Sequence, residues 1–482
     1  MTTRYPMQMS KQPKRIHDTA PSAAFADFMS KNWANIPLAD LDTSPIVKNC
    51  AARRNVLSAA FKGLRVILPS GQDKVRSNDC FYLYRPHSAF AYYTGVQGVE
   101  ANPDAVLVLE PNGDSHDAIL FIKPRSTRDT DAFYRDAKYG ELWVGRRYTT
   151  EDAKQRYQIE SRNVTELEKF LSDKKPAVLI RGEDDSVDAL VAEHARDAEL
   201  AEFTSAQRFI KDEYEINELQ KAVDATGRGF GDMIKVLQDA TKHERGERVV
   251  EGAFYARARA EGNDLGYSTI AAAGAHACVL HWVRNDGKVK NGELILIDAG
   301  IEMDSYYTAD ITRTLPVNGK FTAAQRELYM LVFESQLAGF AATKPGATIT
   351  EINRACHEVL AKGLEKLGAL PVSAEESLKP ENGFHRRWTL HNVSHMLGLD
   401  VHDCALAKRE VYLGPLAEGM VITVEPGLYI QPDDELFPPE FRGIGIRIED
   451  DVVVTADGCR NLSDKLPRHP DEIEKWMAGL TN

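Results

Sequence analysis

Short apolar runs stopped by Gly or Pro mark the first part of the chain. "GLRVILPSG" and "AVLVLEP" lack the polar alternation of a one-sided strand, which predicts strands buried on both faces. Helical stretches such as "VTELEKFLSD" alternate with them, so residues 46–205 are expected to form an α/β domain. Charge dominates 174–205, through "DKKP" and "RGEDDSVDALVAEHARDAELAEF", and the boundary is placed there. Beyond it Ile216, Leu219, Val223, Phe230, Ile234 and Leu237 recur at helical spacing, a stripe that reads as core rather than function. Two later segments share a design: "ELILIDAG" followed by "YYTADITRTLPV", and "MVITVEPG" followed by "GIGIRIEDDVVVT". Each is an apolar strand ending in an acid and a tight Gly turn, and each returns in a second strand carrying another acid. This weak repeat predicts two related halves within an α+β domain over 206–482. Residues 1–45 are mixed and Pro-containing, and read as an arm that docks elsewhere or stays loose.

Length and charge narrow the function. A chain of 482 residues exceeds one hydrophobic core, so two or three domains are expected. A net charge of −13 disfavours nucleic acid and favours a soluble body that attracts cations. Cys50, Cys80, Cys278, Cys356, Cys404 and Cys459 are far apart and contain no C-x-x-C pair, so neither a disulfide framework nor a thiolate zinc site is indicated, and a reducing cytoplasm fits best. The N-terminus lacks the apolar run of a secretory signal, and no segment offers about eighteen uncharged apolar residues, so neither export nor membrane insertion is expected.

Four carboxylates recur in strand contexts where acids are disfavoured: Asp298 closing "LILID", Asp310 in "ADITRT", Glu425 in "VITVE" and Glu449 in "GIRIED". A single such acid is ordinarily a strand end in water. Four of them beside a His-rich segment call for cations, because a buried ionised carboxylate must be paired or bound to a metal. Only Arg447 stands visibly among them, and two divalent cations would neutralise them better. An oxygen-rich donor set favours Mn(II), Co(II) or another hard-to-borderline ion. The imidazole ligand would come from "HNVSHMLGLDVHD", where His391, His395 and His402 all qualify on residue type. Arg447 and Glu449 stand two apart on a strand, hence on one face.

In order and spacing, "DAG", "ADITRT", "HNVSHMLGLDVHD", "TVEPGLYI" and "RGIGIRIEDD" resemble the catalytic domain of the aminopeptidase P and prolidase family of metallopeptidases, with its pita-bread fold. The resemblance covers roughly 206–468, and residues 46–205 resemble the family's N-terminal domain. It implies two divalent ions, most of all Mn(II), with Co(II) or Zn(II) as alternatives. The implied metal ligands are Asp298, Asp310, His395, Glu425 and Glu449, with Asp310 and Glu449 bridging. It also implies that His281 of "VLHWVRND", His391 and His402 steady the scissile carbonyl, the substrate and the tetrahedral intermediate. Arg447 becomes a functional arginine, and Glu425 doubles as general base or proton shuttle.

The implied reaction is hydrolysis of the bond between an N-terminal residue and proline. The alternatives are a prolidase limited to Xaa-Pro dipeptides and, further off, a non-catalytic pita-bread binding module. Tyr429 and Trp282 are candidate pocket walls. The family's dimers or tetramers imply a homo-oligomer, with residues 1–45 and "ELWVGRR" available for contacts. Three departures stand out. Asn392 occupies a place more often small or aromatic, and Ala91 stands where some bacterial relatives carry tryptophan. The twelve positions from Asp298 to Asp310 are one more than is usual, and a bulge near 304–309 is expected to absorb the extra residue.

Overall fold

A computed structural model describes residues 21–34, 36, 38 and 41–481. The expected N-terminal α/β part is built on a five-stranded mixed sheet, in the order Glu160–Asn163, Ser115–Ile122, Val106–Asn112, Arg65–Pro69 and Ala177–Leu179. The uninterrupted run of Arg65–Pro69 has a direct cause. Val66 and Leu68 face one apolar cluster with Leu57 and Phe61, whereas Ile67 faces another with Leu167, Leu171 and Leu179. Both faces of the strand are therefore covered, and alternation would be unfavourable.

Residues 1–20 of the predicted arm lie outside the described residues. The described remainder docks on its own chain: Trp33 meets Phe133 edge-on at 5.3 Å, and Arg156 donates to the Asp42 carbonyl at 2.7 Å.

The predicted stripe becomes the helix Glu213–Ala240, opened by a capping box between Asp212 and Glu215. Leu219, Val223, Phe230, Ile234 and Leu237 are buried and Ile216 is partly so. This helix packs against Gly246–Glu261, and a second pair, Ala323–Ala342 and Ile349–Lys366, repeats the arrangement. Each pair accompanies one of the two strand segments anticipated from the repeat. In the first, Leu294–Ala299 lies between Ile270–Ala273 and Ile311–Pro316, all antiparallel. In the second, Val421–Val424 pairs with Asp450–Val454, and Gly427–Tyr429 with Gly445–Arg447.

The halves are locked where Ile311–Pro316 meets residues 447–450. Glu449 N donates to the Thr312 carbonyl at 3.1 Å, and Thr314 Oγ1 donates to the Arg447 carbonyl at 3.0 Å. Arg313, fully buried, pairs with Asp450 at 2.8 Å and donates to the carbonyls of Glu449 and Pro467.

The expected bulge does not occur. Asp298 opposes Thr312 and Ala299 opposes Ile311, and the same register continues to a bridge between Glu302 and Thr308. The extra residue is taken up at the hairpin tip instead, where Tyr306 adopts φ 68°. A tip residue disturbs no ladder hydrogen bond, whereas a bulge would. Gly300 of "DAG" lets the hairpin close, since a Cβ there would lie 1.7 Å from the Ala309 carbonyl oxygen.

The N-terminal part also grips the catalytic part. Arg85 donates to Glu302 at 2.6 Å and to the Leu399 carbonyl at 2.6 Å, and Ser88 Oγ donates to Asp400 at 2.5 Å. Ala91 is buried in the helix Ser88–Thr94, so it supplies core rather than a lid contact.

Candidate active site

All nine residues singled out from the sequence line one cavity of roughly 900 Å3: His281, Asp298, Asp310, His391, His395, His402, Glu425, Arg447 and Glu449. Asp298 and Asp310 reach it from adjacent strands. Asp310 stands two residues from Thr312, the partner directly opposite Asp298, so period two puts both carboxylates on one face. Glu425 follows the strand Val421–Val424, and Glu449 lies between Gly445–Arg447 and Asp450–Val454. Each acid thus stands at a strand end, where the backbone delivers it to the seam between the halves.

Asp310, His395 and Glu449 form the centre, each offering a ligand atom within 4.8 Å of the others. His395 Nε2 lies 3.3 Å from Asp310 and 3.5 Å from Glu425. Its Nδ1 is 3.0 Å from the Met396 carbonyl, which accepts only, so Nδ1 carries a proton and Nε2 is the nitrogen turned into the cluster. Asp298 joins from the side, sharing the Tyr267 hydroxyl with Asp310 at 2.6 and 2.5 Å. Glu425 divides its oxygens, with Oε1 toward His395 and Oε2 3.4 Å from His391 Nδ1.

The electrostatics identify what such a cluster requires. Burial pushes the Glu425 carboxyl up to about 8, although His395 and Arg447 pull it down. Burial and then the neighbouring carboxylates hold Glu449 well above the usual range. Asp310 is raised by burial, against the hydrogen bond from His395. Among the described residues Arg447 is the one buried guanidinium at the cluster, and it is taken by Asp298 at 2.5 Å. Four carboxylates and one oriented imidazole, short of positive charge and out of water, fit a pair of divalent cations.

Hydrogen bonds from behind hold these side chains in place. Arg447 also donates to Tyr429 at 2.9 Å and to Thr312 Oγ1 at 3.2 Å, while the Thr312 hydroxyl donates to Glu449 at 2.6 Å. The Tyr429 hydroxyl in turn lies 2.7 Å from His391 Nε2, and His391 Nδ1 lies 2.9 Å from the Asn392 carbonyl. Burial and the nearby Arg447 charge push His391 down to about 3, so its imidazole is neutral at ordinary pH.

Tyr429 and Trp282, expected as pocket walls, are not among the lining residues. Tyr429 backs His391, and the Trp282 indole turns away to Glu247. Tyr267 and Thr312 were missed by sequence reasoning. Thr312 had a signal, standing two residues from Asp310 on the same strand face, whereas nothing in the spacing marks Tyr267.

Two antiparallel halves delivering four acids and a histidine to one seam define the class of divalent-metal hydrolases. Comparison with known proteins agrees. Residues 217–456 match metallopeptidase family M24, and residues 50–178 match the N-terminal domain of aminopeptidase P. Xaa-Pro aminopeptidase 1 of Streptomyces coelicolor is 49% identical over 464 residues, spanning 95% of this chain and 93% of that protein. The Xaa-Pro aminopeptidase of Escherichia coli is 35% identical, spanning 88% and 96%. Among solved structures, E. coli aminopeptidase P with the inhibitor Pro-Leu superposes with a TM-score of 0.79 at 31% identity, covering 91% of this chain and 99% of that one. A zinc-substituted form of the same enzyme with product gives 0.79 at 31% identity, covering 91% and 100%. The chain belongs to metallopeptidase family M24, with a pita-bread catalytic domain behind an aminopeptidase P type N-terminal domain.

Proposed function

We propose that the protein removes the N-terminal residue from peptides whose second residue is proline, as an Xaa-Pro aminopeptidase. The observation that carries this is the donor cluster of Asp310, His395 and Glu449, flanked by Asp298 and Glu425, in a chain 49% identical to a protein of that name over 95% of its length. These five residues hold two divalent ions, with Mn(II) the first choice for so oxygen-rich a set and Co(II) or Zn(II) the alternatives. When bound, the metal pair supplies an activated water and polarises the scissile carbonyl.

The remaining steps fall to the chain itself. Glu425 has one oxygen in the cluster and one toward His391, which leaves it able to take a proton and pass it to the departing proline nitrogen. His281 and His402 face the cavity as hydrogen-bond donors for the carbonyl and the developing negative charge. His391 is held neutral by burial and by Arg447, and is fixed between Tyr429 and Asn392 to orient substrate. Proline makes the scissile bond a tertiary amide without an N–H, so enzymes that need that donor lose a contact, while a site shaped around the pyrrolidine ring selects it.

Residues 46–205 are the N-terminal domain and 206–482 the catalytic domain in this reading. The exposed Leu142, Trp143 and Val144 of "ELWVGRR" support a contact in a homodimer or homotetramer, which light scattering tests. Among the described residues no helix is long and apolar enough to cross a membrane, and no cysteine is paired, which supports a reducing, cytoplasmic setting.

The test is release of the N-terminal residue from an Xaa-Pro-Xaa peptide by metal-stripped protein, before and after Mn(II) addition, beside Asp298→Ala and His395→Ala. Activity should return only in the unsubstituted protein. Turnover of Xaa-Pro alone, with longer peptides refused, would replace this reading with a prolidase, and inactivity with every divalent ion would replace it with a binding module.

A further inference from the structure

Glu247 is buried completely on the helix Gly246–Glu261, and among the described residues no lysine or arginine pairs with it. Its carboxylate instead accepts four hydrogen bonds, all from one stretch of chain. Oε1 accepts from Ala273 N at 2.8 Å and His276 Nδ1 at 2.7 Å. Oε2 accepts from Trp282 Nε1 at 2.8 Å and Gly287 N at 2.7 Å. The loop between Ala273 and Gly287 is therefore wrapped around one carboxylate, each bond strengthened by the acceptor's charge. Gly287 is needed for this closeness, because a Cβ there would lie 2.8 Å from Glu247 Oε2 and 2.5 Å from the His276 ring. His276 and Trp282, both bonded to Glu247, also stack with centroids 3.9 Å apart and planes 23° from parallel.

Between Leu280 and Val283, this loop presents His281 to the cavity, next to Trp282. Its imidazole is exposed, and among the described residues it makes no hydrogen bond to another side chain or to backbone. His391 and His395 are each aimed by bonds to their own ring nitrogens, whereas His281 is aimed only by its backbone. We propose that Glu247 is a positioning residue that fixes the loop so that the His281 ring faces the substrate carbonyl. The inference rests on the role of His281 set out under the proposed function.

Glu247→Gln keeps the shape and replaces one oxygen with an NH2 group. At Oε2 that NH2 faces two donors and both bonds are lost; at Oε1 the Ala273 bond is lost while His276 Nδ1 can accept in its other tautomer, so at least one backbone bond goes either way. The experiment measures kcat, KM and metal content for Glu247→Gln, His281→Ala and the double variant, with hydrogen exchange followed at the Ala273 and Gly287 amides. Glu247→Gln is expected to lower kcat by roughly 10–100-fold, the size of effect of a misaimed catalytic group, with KM and metal content little changed. Exchange should accelerate at whichever of the two amides faces the NH2, and in the His281→Ala background the substitution should cost nothing further.

The same factor lost in both backgrounds would overturn the inference, as would faster exchange with kcat intact. Full turnover by His281→Ala alone would refute the role of His281, and the inference with it. Reduced turnover by His281→Ala together with additive losses would refute the role of Glu247 alone. Should Glu247→Gln fail to fold, Trp282→Phe, which removes a single bond at Oε2, enters the same cycle under the same criteria.

Discussion

Arg447 Nη2 donates to Asp298 Oδ2 at 2.5 Å, joining the two halves of the catalytic domain through a pair of buried charges. The same guanidinium reaches Tyr429 and Thr312. One rigid planar fork thus sets the orientation of Asp298 directly, and of His391 and Glu449 through one intervening hydroxyl each.

A lysine has no such fork. Arg447→Lys is expected to lower kcat/KM by roughly 10–100-fold, the size of effect of losing the side chain that orients Asp298, under the proposed function. Steady-state kinetics on an Xaa-Pro-Xaa peptide checks this, and unchanged kinetics would mean that charge alone suffices.

Arg313 pairs with Asp450 where neither side chain is exposed, both being at 0%. Arg313→Ala would leave that buried carboxylate with only the more distant Arg468, 3.8 Å away, a loss of up to about 3–5 kcal/mol. Urea unfolding should show it, and Asp450→Asn added to Arg313→Ala should recover part of the loss. An unchanged midpoint would mean that water reaches Asp450.

His357 and His385 face each other at 3.0 Å in a buried pair. Burial, then the neighbouring His385 and Arg386, pushes His357 from its ordinary 6.5 down to about 4. Between these values the unfolded chain binds a proton that the folded chain refuses, so stability falls as pH drops through that window. The contribution is at most about 3 kcal/mol, at 1.36 kcal/mol per pH unit. Thermal unfolding followed from pH 7 to 4 should be less acid-sensitive in His357→Gln, and parallel curves would exclude this origin.

Cys80 is exposed, while Cys50, Cys278, Cys356 and Cys404 are buried. Burial pushes Cys50 up to about 11 and each of the other three up to about 12, so almost no thiolate forms in them at neutral pH. A chromogenic disulfide reagent should label Cys80 quickly in the native protein and these four only after denaturation. Rapid modification of Cys278 or Cys404 would show that the catalytic part opens under native conditions.

Periodicity and chemistry along the chain were enough to locate the two-part architecture, the long amphipathic helix and the two related strand segments. Those are local signals, since burial on two faces, on a stripe or on one face leaves its own spacing in the residues themselves. The carboxylates were legible for the same reason, as acids closing apolar strands are costly unless something binds them. Tertiary structure decided what depends on contacts between distant segments. Only the three-dimensional arrangement shows that the extra residue after Asp298 sits at the hairpin tip with the ladder register intact. The setting of the His391 ring needed the Tyr429 hydroxyl, 38 residues away, and the assignment of Trp282 to Glu247 rather than to the pocket needed a helix 35 residues away. Hydrogen bonds act over about 3 Å and carry no periodicity, so no pattern of neighbouring residues encodes which distant group will complete them.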